Sequence, residues 1–155
     1  MTDLVVGIGS PIRGDDGVGL RVVERLRRRG LPAGVAAVDL GTGGLALLDV
    51  LAGHDRLVIV DAIISGAPPG TVMELSGAEV ARCAHLGEGH EADLPTILEL
   101  ARRGLGSAMP AEVFVVAVEA AEVTRITEQL SPQVEAAVEE AAARVLQILG
   151  SAAGR

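Results

Sequence analysis

Aromatic side chains are almost missing from this chain: Phe114 is the only one, and neither tryptophan nor tyrosine occurs. The apolar half of the composition is therefore aliphatic. Lysine and asparagine are absent too, so all 13 basic residues are arginine. The joint loss of Lys, Asn and Tyr is what coding bias in a GC-rich genome produces, and it carries no mechanism. Positive charge is scarce against 21 acids, which leaves a net charge of −8. Nucleic-acid binding needs a basic footprint. Only Arg25, Arg27, Arg28 and Arg29 cluster, at the end of an expected helix, where cations favour the dipole. The single cysteine, Cys83, excludes an internal disulfide. No apolar run reaches the roughly 20 residues a membrane helix requires, and there is no secretory h-region. A cytoplasmic protein without nucleic-acid or membrane partners is expected.

What is present is a chain of 155 residues, expected to form one domain over 1–155 with a substantial core. Its densest stretch of special residues is Val5 to Gly19. There an apolar strand ends at Gly7-Ile8-Gly9, and a short loop delivers Asp15 and Asp16 to the start of a helix. Turns of this kind lie at the carboxyl edge of parallel sheets, where open α/β folds bind ligands. The first helix is expected from about Asp16 to Arg29, with Val18, Val22 and Leu26 inward and Gly30 as C-cap. A second strand spans Val35 to Leu40, followed by a short helix with Leu45, Leu48 and Leu51 on its buried face. The third strand, Arg56 to Asp61, is apolar until it finishes on an acid. Thr71 to Leu75 reads as a short edge strand, and Ser76 to Gly89 as irregular. A helix starts near Asp93, a fifth strand covers Val113 to Val118, and a last helix opens at Ser131-Pro132 and runs to Leu149. Alternating strands and helices predict a three-layer α/β/α sandwich.

Three kinds of chemistry are compatible with these residues. Gly7-Ile8-Gly9 with Asp39 has the start of a dinucleotide fingerprint, but its third glycine position is Ile12 and the next glycine is Gly14. Cys83 with His85 has the elements of a nucleophile pair without a visible activating environment. Asp16, Asp61 and His90 form the third set. The ends of the first and third strands share one sheet edge, so two carboxylates and an imidazole can converge on a divalent ion with positions left open. Asp15 and Asp16 could each cap the first helix, where acids are favoured. His85 remains a further ligand candidate, and His54 reads as a surface-turn residue.

The order of these segments resembles the hydrogenase maturation proteases. Gly7 to Gly19 is similar to that family's opening signature. Asp39-Leu40-Gly41-Thr42-Gly43-Gly44 and Asp55 to Ala62 resemble its second block. Pro69-Gly70-Thr71-Val72 followed by His90, and then Val118-Glu119 with Leu130-Ser131-Pro132, resemble the rest. The family usually has Asn where this chain has Ser10, and often Glu where it has Asp16. The resemblance implies a mostly parallel five-stranded sheet of the phosphorylase/hydrolase-like kind. It also implies an endopeptidase that removes the C-terminal extension of a [NiFe]-hydrogenase large-subunit precursor. Asp16, Asp61 and His90 would recognise nickel carried by that substrate, with zinc or cadmium as possible stand-ins in a crystal. The resemblance places the functional acid at Asp16 and leaves Asp15 as the cap. Asp16 and Asp61 would serve catalysis, and Gly9, Ser10, Gly41, Thr42 and Gly43 would shape the cleft. The alternative is a non-catalytic, nickel-dependent binding or chaperone protein of hydrogenase assembly on the same fold.

Overall fold

A computed structural model describes residues 2–42, 44–81 and 93–151. Five strands, β1 (Asp3–Gly7), β2 (Val35–Asp39), β3 (Arg56–Ile63), β4 (Val72–Ser76) and β5 (Glu112–Glu119), form one sheet. Their order is β2-β1-β3-β5-β4. All neighbours are parallel except the edge strand β4, which runs antiparallel to β5. The helices are α1 (Val18–Arg29), α2 (Leu47–Val50), α3 (Gly77–Ala81), α4 (Leu94–Leu105) and α5 (Pro132–Gly150). One sheet face, carrying Val5, Val58, Val60 and Val116, packs on α1 and α5. The other, carrying Leu4, Val6, Leu57, Ile59 and Val115, packs on α2, α4 and Val80 of α3. The three-layer sandwich with a mostly parallel sheet is therefore the observed architecture.

The central strands are apolar throughout because both of their faces are covered. β1 leads outward to β2 and β3 lies on β1's other side, so the strand order reverses between β1 and β3. The crevice beyond their carboxyl ends is the topological switch point, where such folds place ligands. Gly19 sets how closely α1 lies on the sheet. A Cβ there would sit 2.3 Å from the Val60 carbonyl oxygen, so no other residue lets α1 rest at this depth.

Several sequence expectations shift in detail. Asp61 does not end β3, which continues two residues to Ile63, because Asp61, Ala62 and Ile63 pair with Ala117, Val118 and Glu119 of β5. In the Leu-rich turn, Leu47 and Leu51 are buried and Leu45 is exposed. A 3-10 turn over Gly44–Ala46 precedes α2 and rotates the apolar face away from the expected one. Part of the stretch taken as irregular is helical, as α3. No helix among the described residues is long and apolar enough to cross a membrane.

Candidate functional site

β1 is extended beyond Gly7 by main-chain bonds on both sides. Leu40 N–H donates to Gly7 O at 2.9 Å, Ile8 N–H to Val60 O at 3.1 Å, and Gly9 N–H to Gly41 O at 2.8 Å. These bonds bring Gly9 and Gly41 together and set Asp61 next to Ile8–Gly9. Gly9 has φ +140°, and a Cβ on it would lie 1.8 Å from Asp16 O. The chain therefore doubles back here only with glycine. Ser10 and Asp16 face each other across this loop, and Ser10 N–H donates to Asp16 Oδ2 at 2.8 Å. Ser10 Oγ turns into its own loop and accepts from Ile12 N–H at 3.4 Å. Thr42 is exposed beside Gly41, while Gly43 lies outside the described residues.

Asp61 occupies a central strand between Ile59 and Ile63, on the face covered by α4, and is 1% exposed. Its Oδ1 accepts from the Ala62 N–H at 2.8 Å. Burying a carboxylate in an apolar layer is costly, and such placements mark functional sites. Asp16 is nearly as buried, on the neighbouring strand's exit loop. Oxygen donors of this type suit divalent ions. Among the described residues no three His, Cys, Asp or Glu side chains converge. His90, His85 and Cys83 lie outside the described residues, so Asp16 and Asp61 are the two predicted ligands the structure describes. His90 precedes α4 by four residues. α4 returns the chain from the carboxyl edge to the start of β5, so its N-terminus is at the same edge as Asp61.

Asp15 is not the cap of α1. The turn Gly14–Gly17 and α1 have no side-chain cap. Instead Asp15, fully buried, reaches across to the chain between β5 and α5. Its Oδ2 accepts from Ala121 N–H at 2.8 Å, Glu122 N–H at 3.0 Å and Ser131 Oγ–H at 2.9 Å. Its Oδ1 accepts from Ser131 N–H at 2.7 Å. Ser131 precedes α5 as expected, but its hydroxyl serves Asp15 and caps nothing. Glu119, 2% exposed at the end of β5, does the same for the loop after β3. It accepts from Ser65 N–H at 2.9 Å, from Ala67 N–H at 3.2 Å and from the Ser65 hydroxyl. Sequence reasoning gave neither acid this role. For Glu119 the signal was available, an apolar strand finishing on an acid as at Asp61. For Asp15 no local pattern announces partners more than 100 residues away.

The three-layer α/β sandwich is also the fold of hydrogenase-maturing endopeptidases. The structure is similar to HybD from Escherichia coli, with a TM-score of 0.82 at 33% identity over 96% of this chain and 92% of that one. It is also similar to the [NiFe] hydrogenase maturation protease HybD from Thermococcus kodakarensis, with a TM-score of 0.80 at 27% identity, covering 97% and 100% of the two chains. The sequence is 36% identical over 152 residues to the hydrogenase 2 maturation protease of Escherichia coli K12, across 96% of this chain and 91% of the relative. It is 33% identical to the hydrogenase expression/formation protein HupD of Thiocapsa roseopersicina, over 94% of this chain but 66% of that protein. The hydrogenase maturation protease (HycI) family model matches residues 20–148. The chain belongs to the hydrogenase maturation protease family.

Proposed function

We propose that this chain is the endopeptidase that trims the C-terminal extension from the precursor of a [NiFe]-hydrogenase large subunit once nickel is in place. The observation that carries the reading is the pair of buried carboxylates, Asp16 and Asp61, at the switch point of a chain from this family. Nickel belongs to the substrate in this account and is the feature that marks a precursor as ready. Asp16 and Asp61 offer it oxygen donors and His90 offers an imidazole, a set suited to a borderline divalent ion. Zinc or cadmium would occupy the same donors in a crystal.

The protein's own contribution to the chemistry is positioning and proton transfer. Gly9, Ser10, Gly41 and Thr42 line the floor on which the extension lies. Attack of water on a peptide carbonyl requires a base, and that base is one of the two carboxylates.

The alternative, a binding protein that holds the nickel-loaded precursor, differs in one observable. Intact mass of a nickel-loaded large-subunit precursor is measured before and after incubation with the purified chain. Loss of a C-terminal fragment supports the endopeptidase; a stable complex with a full-length precursor supports the binding protein.

A further inference from the structure

Arg13 stands where two turns meet in the loop between β1 and α1. Its N–H donates to Ser10 O at 3.4 Å, and Asp16 N–H donates to Arg13 O at 3.2 Å. A four-residue turn closed in this way holds its end Cα atoms within about 7 Å of each other. Arg13 is therefore one turn's width from Ser10 and from Asp16. Its main chain is fixed from the other side too. Thr127 N–H donates to Ile12 O at 2.9 Å, and Gly14 N–H to Thr127 O at 3.0 Å.

The Arg13 side chain is half-buried. It reaches the loop after β5, where Nε–H donates to Val123 O at 3.2 Å. Among the described residues that is its one hydrogen bond, so the donors of both terminal nitrogens are left over. Every described arginine except Arg13 and Arg125 is paired with an acid. Acids outnumber basic residues 21 to 13, so scarcity of partners is not the cause. The acids of the adjoining segments are turned to other groups. Asp15 is engaged by Ala121, Glu122 and Ser131. Asp16 accepts from Ser10 N–H, and Glu122 Oε1 from Thr124 and Arg125 N–H. Glu128 is exposed, and none of these four carboxylates forms an ion pair with Arg13.

Arg125 is exposed, whereas Arg13 is half-buried and held at Nε. Pinning Nε fixes the plane of the guanidinium. Its two outer nitrogens then form a fork that matches a carboxylate bidentately. We propose that Arg13 is a specificity residue, whose terminal nitrogens take a carboxylate of the protein substrate as that chain crosses Gly9 and Ser10 toward Asp16. The carboxylate is either an acidic side chain or the terminal carboxylate of the extension. The substrate's identity here rests on the endopeptidase reading, while the unpaired guanidinium beside Ser10 and Asp16 belongs to the structure.

The test measures cleavage of nickel-loaded precursor by wild type, Arg13→Gln and Arg13→Lys, with Arg103→Gln on α4 as control. Thermal melts first establish that each variant folds. Arg13→Gln should raise KM roughly tenfold at constant kcat, and Arg13→Lys, which keeps the charge without the fork, by less. Screening should shrink the tenfold ratio to about threefold between about 50 mM and about 500 mM NaCl. If Arg13→Gln does not fold, Arg13→Lys takes its place in every comparison. Unchanged KM, an equal rise in Arg103→Gln, or a rise that salt does not reduce overturns the assignment and leaves the endopeptidase reading standing. Two altered precursors locate the carboxylate. One has the acids of its extension replaced by Asn and Gln, and the other is lengthened by Gly-Ser-Gly-Ser to move the terminal carboxylate. The precursor on which wild type and Arg13→Gln become equal names the source; a ratio retained on both overturns the assignment. If wild type cleaves no precursor, the endopeptidase reading fails, and a titration decides Arg13 alone. The probes are acetyl-Ala-Glu-Ala-amide and acetyl-Ala-Gln-Ala-amide, read at the Arg13 Nε–H resonance that Arg13→Gln removes. A shift with the Glu peptide only supports the assignment; no shift, or the same shift with both, overturns it.

Discussion

Asp15 and Asp16 are adjacent in sequence, and the proposed function gives them different tasks. Asp15 accepts four hydrogen bonds, two on main-chain N–H groups of the 121–122 turn and two from Ser131. An asparagine at 15 has one acceptor end, so its amide must meet an N–H whichever way it is turned. Asp15→Asn should therefore cost about 1–3 kcal/mol, the cost of a buried unsatisfied donor, and cleavage should fall only as far as folding does. Asn at 16 keeps an acceptor for Ser10 N–H, so Asp16→Asn should melt normally and lose cleavage. Asp61→Asn likewise keeps the bond to Ala62 N–H and removes a buried charge. Its melting point should be unchanged or raised, as expected where a group is held for function at a cost in stability, and cleavage should be lost. Urea denaturation and precursor cleavage on the three variants check this. A stable, inactive Asp15→Asn beside an active Asp16→Asn would exchange the roles.

The elements were legible in the sequence wherever the signal was local. Strands β1, β3 and β5 announced themselves as unbroken aliphatic runs, and Gly30 and Asp93 marked helix ends. Asp93 is the N-cap of α4, its side chain accepting from Thr96 N–H at 2.8 Å. That bond is the main reason its carboxyl lies below the usual value near 3.8. A lowered folded-state value means stabilisation that is present above the unfolded value and lost as pH falls through the folded one. Asp93→Ala should cost about 0.5–2 kcal/mol near neutral pH. The gap to wild type should narrow below pH 3.8, and urea midpoints at pH 5 and pH 3 measure it. An equal gap at both pH values would mean that the carboxylate's charge does not matter to the cap. At the junction of α1 and β3, Gly19→Ala puts a Cβ against the Val60 carbonyl. Overpacking against main chain costs about 1–3 kcal/mol or more, and a thermal melt reads it. The Leu45 face was misjudged because three residues of 3-10 helix turn the chain by a different angle per residue than an α-helix does.

At the scale of the molecule, the sequence was least informative about the groups that join distant segments. Arg56 is 2% exposed, although it reads as an ordinary strand-opening charge. It pairs with Asp3 at 2.9 Å and donates to the carbonyls of Ile148, Leu149 and Ser151, so one guanidinium closes β1, β3 and the end of α5 together. Arg56→Ala removes the cation paired with the buried Asp3 and should cost about 3–5 kcal/mol, read as a fall in the urea midpoint at unchanged slope. Asp15 and Glu119 act in the same way at the other edge, and their partners are set by topology, which no local pattern encodes. Asp16 and Asp61, by contrast, could be offered as candidates from the sequence, because parallel strands put the exits of β1 and β3 on one sheet edge. The account stands on those two acids cutting a substrate that carries nickel. Its most direct test is the cleavage rate of one large-subunit precursor, prepared with and without nickel, by the wild-type protein. The account predicts rapid shortening of the nickel-loaded form and none of the nickel-free form. Equal shortening of both would contradict it.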